Sequence, residues 1–277
     1  MLQERARSAA ILAPPILIAL LLGGPWIALV VAVAVALGAV EAFRLLTAAG
    51  HASFPALGVV LAVVVALGDS VRQVPGGSGL LLAGVGIVLV ATAALTRPDP
   101  REGLATMMTT AFGAIWIGLL GFVPRLAAAN APVVDGSILG WLGGERAWVL
   151  ILLLSVWTFD TAAYGVGRRF GTRHFIPAIS PGKTVEGTVG GVVAAAIVCA
   201  VLVALVGRPA IAGFGLGLAI AAAAQVGDLA ESMLKRAAGA KESGRLIPGH
   251  GGLLDRIDSF LFAAPIAYLY VVAVLGA

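Results

Sequence analysis

Charged residues are scarce in this sequence. Only 12% of its 277 residues are Asp, Glu, Lys or Arg, whereas 60% are hydrophobic, and the mean hydropathy is +1.04. Water-soluble globular domains do not have this composition, so lipid must surround most of the chain. A helix crosses a bilayer with about 20 apolar residues, which leaves little sequence for a soluble domain. We therefore expect a single membrane domain over residues 1–277.

Cysteine and histidine are also rare. The single cysteine, Cys199, lies in an apolar run, which excludes a disulfide within the chain and a thiolate ligand set and predicts a packing role. The three histidines, His51, His174 and His250, are scattered, so they form no set of soft-metal ligands. Aromatic residues make up only 6% of the chain, but its 37 glycines favour helices that pack closely through small residues.

Nine apolar segments approach the length of a membrane-spanning helix. Their approximate bounds are 9–24, 26–46, 54–70, 78–96, 104–124, 147–167, 185–206, 210–234 and 253–275. Lipid-exposed backbone must satisfy its own hydrogen bonds, and no segment alternates as a barrel strand does. The predicted fold is an all-α, polytopic transmembrane helical bundle, with N-terminal spans in 1–146 and catalytic spans and cytoplasmic loops in 147–277. The first two segments are predicted to form either a tight hairpin or one broken helix.

Basic residues predict the orientation of these spans. With nine spans, fourteen of the 18 Lys and Arg residues lie on one side, and only Arg72, Arg125, Arg146 and Arg208 lie on the other. The positive-inside rule then places the N-terminus in the cytoplasm and the C-terminus outside. The longest basic loops follow the sixth and eighth spans. We therefore expect function at the cytoplasmic face of the C-terminal half.

Acidic residues cluster at the ends of the last two spans. An ionised carboxyl group inside a spanning helix costs on the order of 3 kcal/mol, so it requires compensation. The eighth span carries Asp228, Glu231, Ser232 and Lys235 on one predicted face, and the ninth carries Asp255, Asp258 and Ser259 on another. A short loop joins the two faces. Paired carboxylates of this kind suit a hard divalent cation such as Mg²⁺.

Basic residues around these acids exceed what the carboxylates require. They are Lys235, Arg236, Lys241, Arg245 and Arg256. An excess of positive charge beside carboxylates is typical of a metal-phosphate site. The run 248–252, Pro-Gly-His-Gly-Gly, adds a turn whose backbone N–H groups could approach a polyphosphate ahead of a helix.

Other charged residues receive simpler interpretations. The i, i+3 spacing of Glu41 and Arg44 predicts an ion pair at the membrane rim. Arg97, Arg101, Arg168 and Arg169 are interpreted as topology signals at the cytoplasmic rim.

Three stretches near the C-terminus resemble the signature of the phosphatidate cytidylyltransferases, also called CDP-diacylglycerol synthases. They are 232–236 (SMLKR), 241–244 (KESG) and 248–258 (PGHGGLLDRID). The chain departs from the family pattern at Glu242, where the family usually has Asp, so no metal-binding role is transferred to this residue. Upstream, 160–164 (DTAAY), 167–171 (GRRFG) and 180–187 (SPGKTVEG) are also similar to family motifs.

The resemblance implies that phosphatidate and CTP react, with Mg²⁺ required, to give CDP-diacylglycerol and pyrophosphate. Together with the acidic faces, it predicts that Asp228 and Asp255 hold Mg²⁺, with Asp258 as a further or outer ligand; a second cation stays open. Lys235, Arg236, Lys241 and Arg256 are expected to stabilise charge during the transfer. Catalytic roles are thus predicted for Asp228, Lys235, Arg236, Asp255, Arg256 and Asp258. Substrate contacts are predicted for Asp160, Ser180, Lys183, Thr184, Glu186, Ser232, Lys241, His250, Gly251 and Gly252.

The expected partners are CTP, phosphatidate and membrane lipid, with no nucleic acid, and the expected location is the inner membrane with the active site facing the cytoplasm. A homodimer is one alternative for the assembly. Two other functions compete with nucleotidyl transfer. A CTP-dependent lipid or polyprenol kinase would need a similar site and would release CDP, whereas an ion-coupled transporter would keep intramembrane acids without turning over CTP.

Overall fold

The computed structural model describes residues 14–68, 78–247, 249 and 251–276. Its helices are α1 (Gly24–Ala48), α2 (Pro55–Leu67), α3 (Ser78–Ala94), α4 (Pro100–Gly118), α5 (Phe122–Ala129), α6 (Gly143–Phe170), α7 (Val185–Leu205), α8 (Ala210–Ala237) and α9 (Leu254–Leu275). Residues 14–22 are also helical, and short 3₁₀ turns lie at Leu119–Gly121 and Gly140–Leu142.

Six helical stretches in the described part of the chain are long and apolar enough to cross a membrane. They are Gly24–Ala48, Pro100–Ala129, Gly140–Phe170, Val185–Leu205, Ala210–Ala237 and Leu254–Leu275, and two shorter apolar helices cover Pro55–Leu67 and Leu81–Ala94. The predicted class, an all-α membrane protein, is therefore confirmed. The first predicted segment, 9–24, lies partly outside the described residues, and its helix ends at Gly23, whose φ of +95° is accessible to glycine.

A small antiparallel hairpin follows α6 and was not predicted from the sequence. Strand β1 (His174–Ile176) pairs with β2 (Ser180–Thr184), with Ile176 opposite Ser180. The two strands are too short and too polar to show an alternating hydrophobic pattern. At its end Thr184 caps α7, because its hydroxyl accepts a hydrogen bond from the Gly187 N–H at 3.2 Å. The hairpin therefore fixes where α7 begins.

The chain divides into two compact units, each assembled from separate segments. The first unit comprises Met1–Ala19, Pro25–Pro124 and Leu234–Ile257. The second comprises Leu20–Gly24, Arg125–Met233 and Asp258–Ala277.

In the first unit, the ring of Phe43 lies buried among small residues. It is 1% exposed and packs against Gly58 and Gly113, where an added Cβ would meet the ring. The N–H of Phe54 donates to the Thr110 hydroxyl at 2.9 Å, which joins the start of α2 to α4. Glycines thus allow α1, α2 and α4 to approach closely.

In the second unit, small residues again line the contacts between helices. Gly191 on α7 lies against the backbone of Phe159 on α6, where an added Cβ would come within 2.8 Å of the carbonyl oxygen. A Cβ at Gly217 on α8 would lie 2.6 Å from the Ala196 Cα on α7. These approaches confirm the close packing that the glycine content predicts. Cys199 is fully buried in this packing, as expected.

Candidate active site

Asp255, at the start of α9 in the first unit, is held by several donors. Its Oδ1 lies 2.6 Å from the Lys235 Nζ. Its Oδ2 accepts hydrogen bonds from the N–H of Ser243 at 2.9 Å and of Gly252 at 2.8 Å. The side chains of Lys235 and Asp255 are only 10% and 8% exposed. This is a nearly buried ion pair whose carboxylate is also fixed by the loop backbone.

Glu41, on α1, contacts the segment between α8 and α9 that also surrounds Asp255. The prediction that Glu41 forms an ion pair with Arg44 at the membrane rim was therefore wrong. Glu41 is 5% exposed, and its carboxylate accepts from the N–H groups of Leu253 and Leu254 at 3.1 and 2.8 Å. The spacing to Arg44 permits a pair along the helix. However, three donors from a segment more than 200 residues away satisfy this carboxylate instead. No pattern within α1 could have revealed those partners.

The glycines of this loop adopt conformations that other residues disfavour. Gly249 and Gly251 have φ values of +74° and +78°, and the Ile247 N–H donates to the Gly251 carbonyl at 2.9 Å. The predicted turn over 248–252 is therefore tight where the structure describes it. Pro248 and the candidate substrate ligand His250 lie outside the described residues.

Asp228, on α8 in the second unit, forms the other candidate centre. Its Oδ2 lies 2.5 Å from the Lys183 Nζ, and the Ser232 hydroxyl donates to its Oδ1 at 3.3 Å. The latter contact is the i, i+4 pair that the sequence predicts on this helix. Lys183 belongs to β2, so the hairpin and α8 meet through this ion pair. The sequence grouped Lys183 with the site but did not indicate its carboxylate partner.

Glu186, in the first turn of α7, connects the two ends of the hairpin. Its carboxylate accepts from the Thr172 N–H and hydroxyl at 3.1 and 2.8 Å and from the Arg173 N–H at 3.2 Å. The Arg173 Nε donates to it as well, also at 3.2 Å. These bonds hold the segment before β1 against the helix after β2, which fixes the position of Lys183 between them.

Asp258 is 9% exposed in the second unit. Its Oδ1 accepts from the Ser259 N–H at 2.6 Å. Gly227 packs against this turn, since an added Cβ would lie 3.2 Å from the Ser259 Cα. The residue preceding Asp228 therefore touches the turn that carries Asp258, so these two predicted metal ligands lie on neighbouring parts of α8 and α9.

Most of the remaining predicted site residues are at least partly accessible. Arg236, Lys241, Arg256 and Asp160 are exposed, and Ser180 is partly exposed. Arg236 donates to the Ala240 carbonyl at 2.9 Å, at the start of the loop. Exposed cations beside a nearly buried ion pair can reach a soluble polyanion, whereas the Lys235 ammonium group lies 2.6 Å from Asp255 Oδ1 and its side chain is only 10% exposed.

The carboxylates of the site have the chemistry of ligands for a hard cation. No group of three or more His, Cys, Asp or Glu residues that could hold a metal ion occurs among the described residues. Within the same residues, Asp255 Oδ1 and Asp228 Oδ2 each contact one lysine ammonium group, and Asp228 Oδ1 accepts from one hydroxyl. A carboxylate oxygen can accept two hydrogen bonds. Oxygen ligands of this kind fit Mg²⁺, which commonly uses one or two carboxylates and completes its shell with water and substrate phosphates.

Comparisons with known proteins identify the family to which the chain is related. The chain matches the profile of the Cytidylyltransferase family over residues 3–274. It is 33% identical over 273 residues to a phosphatidate cytidylyltransferase of Synechocystis sp., covering 92% of each chain. A protein of the same name from Brucella suis is 36% identical over 204 residues, which cover 70% of this chain and 72% of that one. Another, from Haemophilus influenzae, is 45% identical over 129 residues, or 45% of its length.

Proposed function

The chain belongs to the cytidylyltransferase family, and from this premise we propose that it is a phosphatidate cytidylyltransferase that transfers the cytidylyl group of CTP to phosphatidate. The products are CDP-diacylglycerol, a precursor for phospholipid synthesis, and pyrophosphate. The observation that carries the proposal is the family match over residues 3–274. The lipid-kinase and transporter alternatives gain no support from that match.

The chemistry requires a phosphatidate oxygen to attack the α-phosphorus of CTP. A new oxygen–phosphorus bond forms, the bond from the α-phosphorus to the bridging oxygen breaks, and its electron pair leaves with pyrophosphate. Phosphatidate is already anionic near pH 7, so no strong general base is needed. The main task of the protein is therefore to position two anions and to stabilise the charge that moves to the leaving group.

Basic side chains at the end of α8, in the loop that follows and at the start of α9 perform that task in this proposal. The exposed Arg236, Lys241 and Arg256 bind the phosphates of CTP and the departing pyrophosphate. Lys235 orients Asp255 through their 2.6 Å contact. Lys183, with Ser180 and Thr184 of the hairpin, is proposed to bind a phosphate group of one of the two substrates.

Mg²⁺ is the proposed cofactor, with Asp228 and Asp255 as its ligands and Asp258 as a further or outer ligand. When bound, it would neutralise phosphate oxygens on the transferring nucleotide. The support for Asp228 and Asp255 is the remaining acceptor capacity of their carboxylate oxygens. For Asp258 it is the contact of its helical turn with Gly227, the residue before Asp228. Titration of the purified protein with Mg²⁺, and with Ca²⁺ as a matched cation, would measure the number of bound ions.

The proposed topology has nine spans, a cytoplasmic N-terminus and an active site at the cytoplasmic face of the inner membrane. Its support is the asymmetry of the 18 basic residues and the presence of a helix at each predicted segment within the described residues. This location brings CTP, which is soluble in the cytoplasm, to a phosphatidate that stays in the bilayer.

One assay tests the proposed reaction. Membranes containing the chain are incubated with labelled CTP, phosphatidate and Mg²⁺, and the lipid and soluble products are separated. Labelled CDP-diacylglycerol with release of pyrophosphate is expected. Release of CDP with a phosphorylated lipid would instead identify a kinase, and the absence of CTP turnover would reject both enzyme functions.

A further inference from the structure

We propose that Glu41, in helix α1, is a positioning residue for nucleotide binding. It holds together the two described ends of the loop 243–254, at Ser243 and at Leu253 and Leu254. The inference rests on the proposed function, since it assigns that loop to CTP. Glu41 lies in α1, within the N-terminal half of the chain, where no part of the active site was expected. All the contacts that carry the proposal lie inside the first unit.

The carboxylate of Glu41 holds three points of the loop together. Its Oε1 accepts from the Leu253 N–H at 3.1 Å, and its Oε2 accepts from the Leu254 N–H at 2.8 Å. The Ser243 hydroxyl lies 2.9 Å from the same Oε2. Since Glu41 is 5% exposed, water competes little for these bonds, so the carboxylate fixes both ends of the loop.

The negative charge of Glu41 matches the end of a helix. Leu254 is the first residue of α9, so its N–H and that of Leu253 belong to the positive end of the helix dipole. Asp255, in the same first turn, accepts from the Gly252 N–H. Two carboxylates therefore hold the backbone N–H groups at the start of α9, and the one from α1 connects this turn to the rest of the unit.

The Ser243 hydroxyl joins the two carboxylates. It lies 2.9 Å from Glu41 Oε2 and 2.9 Å from Asp255 Oδ2, and its single proton can be donated to only one of them at a time. A change at Glu41 therefore alters the hydrogen bonding of Asp255, a proposed Mg²⁺ ligand. This is the path by which a residue of α1 influences the reacting groups without touching them.

Close approach to Glu41 explains two glycines of the loop. A Cβ at Gly244 would lie 2.5 Å from Glu41 Oε1, and a Cβ at Gly252 would overlap both Glu41 Oε2 and the Ser243 Oγ. Gly252 does not have a positive φ, so its backbone conformation does not require glycine. Glycine is required at this position because the Glu41 carboxylate leaves no room for a Cβ.

A carboxylate is needed at this position because both of its oxygens face backbone donors. In Glu41→Gln the side chain keeps its size, but its NH₂ group must point at the N–H of either Leu253 or Leu254. Two opposed donors lose a hydrogen bond and repel each other. The loop is then expected to shift, and a misplacement of about 1 Å near reacting groups can cost roughly 100-fold in rate.

The kinetic test compares Glu41→Gln with the matched control Glu102→Gln. Glu102 is a carboxylate of the same unit, but it pairs with Arg97 and its side chain is 44% exposed. For Glu41→Gln we expect a raised KM for CTP and a loss of about 10- to 100-fold in kcat/KM, with both unchanged in the control. If the role of Glu41 were purely structural, Glu41→Gln would lower the amount of active enzyme and leave the KM for CTP unchanged. That result would overturn the proposal.

Hydrogen–deuterium exchange tests the tether without requiring activity. Amides of the segment 243–254 are expected to exchange faster in Glu41→Gln than in the parent protein, while those of α4 stay unchanged. Equal exchange rates in segment 243–254 of the variant and of the parent protein would show that Glu41 does not hold the loop. If the parent protein makes no CDP-diacylglycerol, the proposed function fails, but this measurement still decides whether Glu41 holds the loop.

A second variant covers the case in which Glu41→Gln does not fold. Ser243→Ala removes one donor of the same tether and should raise the KM for CTP in the same direction. If both variants fold, their effects on kcat/KM should be less than multiplicative in the double variant, because both remove one shared interaction. A KM for CTP in Ser243→Ala equal to that of the parent would contradict the proposal.

Discussion

Asp228 and Asp255 each face a lysine ammonium group, at 2.5 Å for Lys183 and 2.6 Å for Lys235. The two pairs differ in exposure, since the Asp228 side chain is 28% exposed and the Asp255 side chain 8%. In each pair the lysine compensates a carboxylate that would otherwise be costly to bury. Each carboxylate retains acceptor capacity within the described residues, which is the basis for proposing both as Mg²⁺ ligands.

Replacement of either aspartate by asparagine should abolish most of the activity. Asp228→Asn and Asp255→Asn each remove a proposed charged ligand and the carboxylate that faces a lysine, so we expect a loss of at least about 100-fold in CDP-diacylglycerol formation. The assay with labelled CTP measures this loss, and Asp135→Asn, at an exposed acid, serves as the control. Near-normal activity in either variant would reject that residue as a metal ligand.

Glu242 is the residue at which the chain departs from the family signature, and its side chain is exposed. Glu242→Asp restores the usual residue with the same charge and a shorter arm. We expect activity within about twofold of the parent or slightly above it, since surface substitutions of this kind usually have small effects. A complete loss in the same assay would mean that the longer arm has a specific role.

At the scale of helices and strands, the glycines of the apolar helices differ in whether a neighbouring helix packs against them. A Cβ at Gly217 would meet the backbone of Ala196 on the neighbouring helix at 2.6 Å, whereas a Cβ at Gly84 would have no atom of the described residues within 4 Å. Both residues lie inside apolar helices. Composition alone predicts that glycines allow close packing, but only the tertiary contacts distinguish these two positions.

Alanine at these two glycines should have opposite effects on stability. Gly217→Ala forces α7 and α8 apart and should destabilise the protein by about 1–3 kcal/mol. Gly84→Ala should be neutral or stabilising by up to about 1 kcal/mol, because alanine is the better helix former. Thermal unfolding in the same detergent measures both. Equal effects would show that helix packing at Gly217 is looser than the structure indicates.

The β1–β2 hairpin shows what periodicity cannot predict. Its strands are three and five residues long, and Glu186 joins Thr172 and Arg173, just before β1, to the start of α7. The sequence placed Lys183 and Thr184 in a cytoplasmic loop of the site. The structure gives the two residues different roles. Lys183 forms an ion pair with Asp228, and Thr184 caps the helix that follows the hairpin.

For the whole molecule, the distribution of basic residues predicts which loops face the cytoplasm. Pro98 lies in a predicted cytoplasmic loop and Asp135 in a predicted external one, and both are exposed. Cys199 is the only cysteine of the chain and is buried. Single cysteines introduced into a Cys199→Ala parent can therefore be labelled without background.

In intact cells, a membrane-impermeant maleimide should label Asp135→Cys and should not label Pro98→Cys. After the membrane is permeabilised, both should react, because both positions are exposed to water. The Cys199→Ala parent without an added cysteine is the control. The reverse pattern would place the proposed active site on the external side, away from cytoplasmic CTP.

The sequence by itself determined that lipid surrounds most of this protein, that its fold is all-α, and to which enzyme family it belongs. Its excess of apolar residues required lipid-facing helices, and the helices begin and end close to the predicted bounds because Gly, Pro and charges interrupt the apolar runs. The motifs between Asp160 and Asp258 identified the family, and the match over residues 3–274 confirms it. These features are local, so they can be read along the chain.

Only the tertiary structure decided which charges meet. Lys183 pairs with Asp228 and Lys235 with Asp255, and Glu41 holds the loop before α9 instead of pairing with Arg44. Each of these contacts joins residues from different helices or strands, and for Glu41 the separation exceeds 200 residues. Sequence spacing predicts neighbours within one helix. Partners that helix packing brings together depend on the fold of the entire unit. The contacts of Glu41 with the loop before α9 therefore could not be predicted from the sequence.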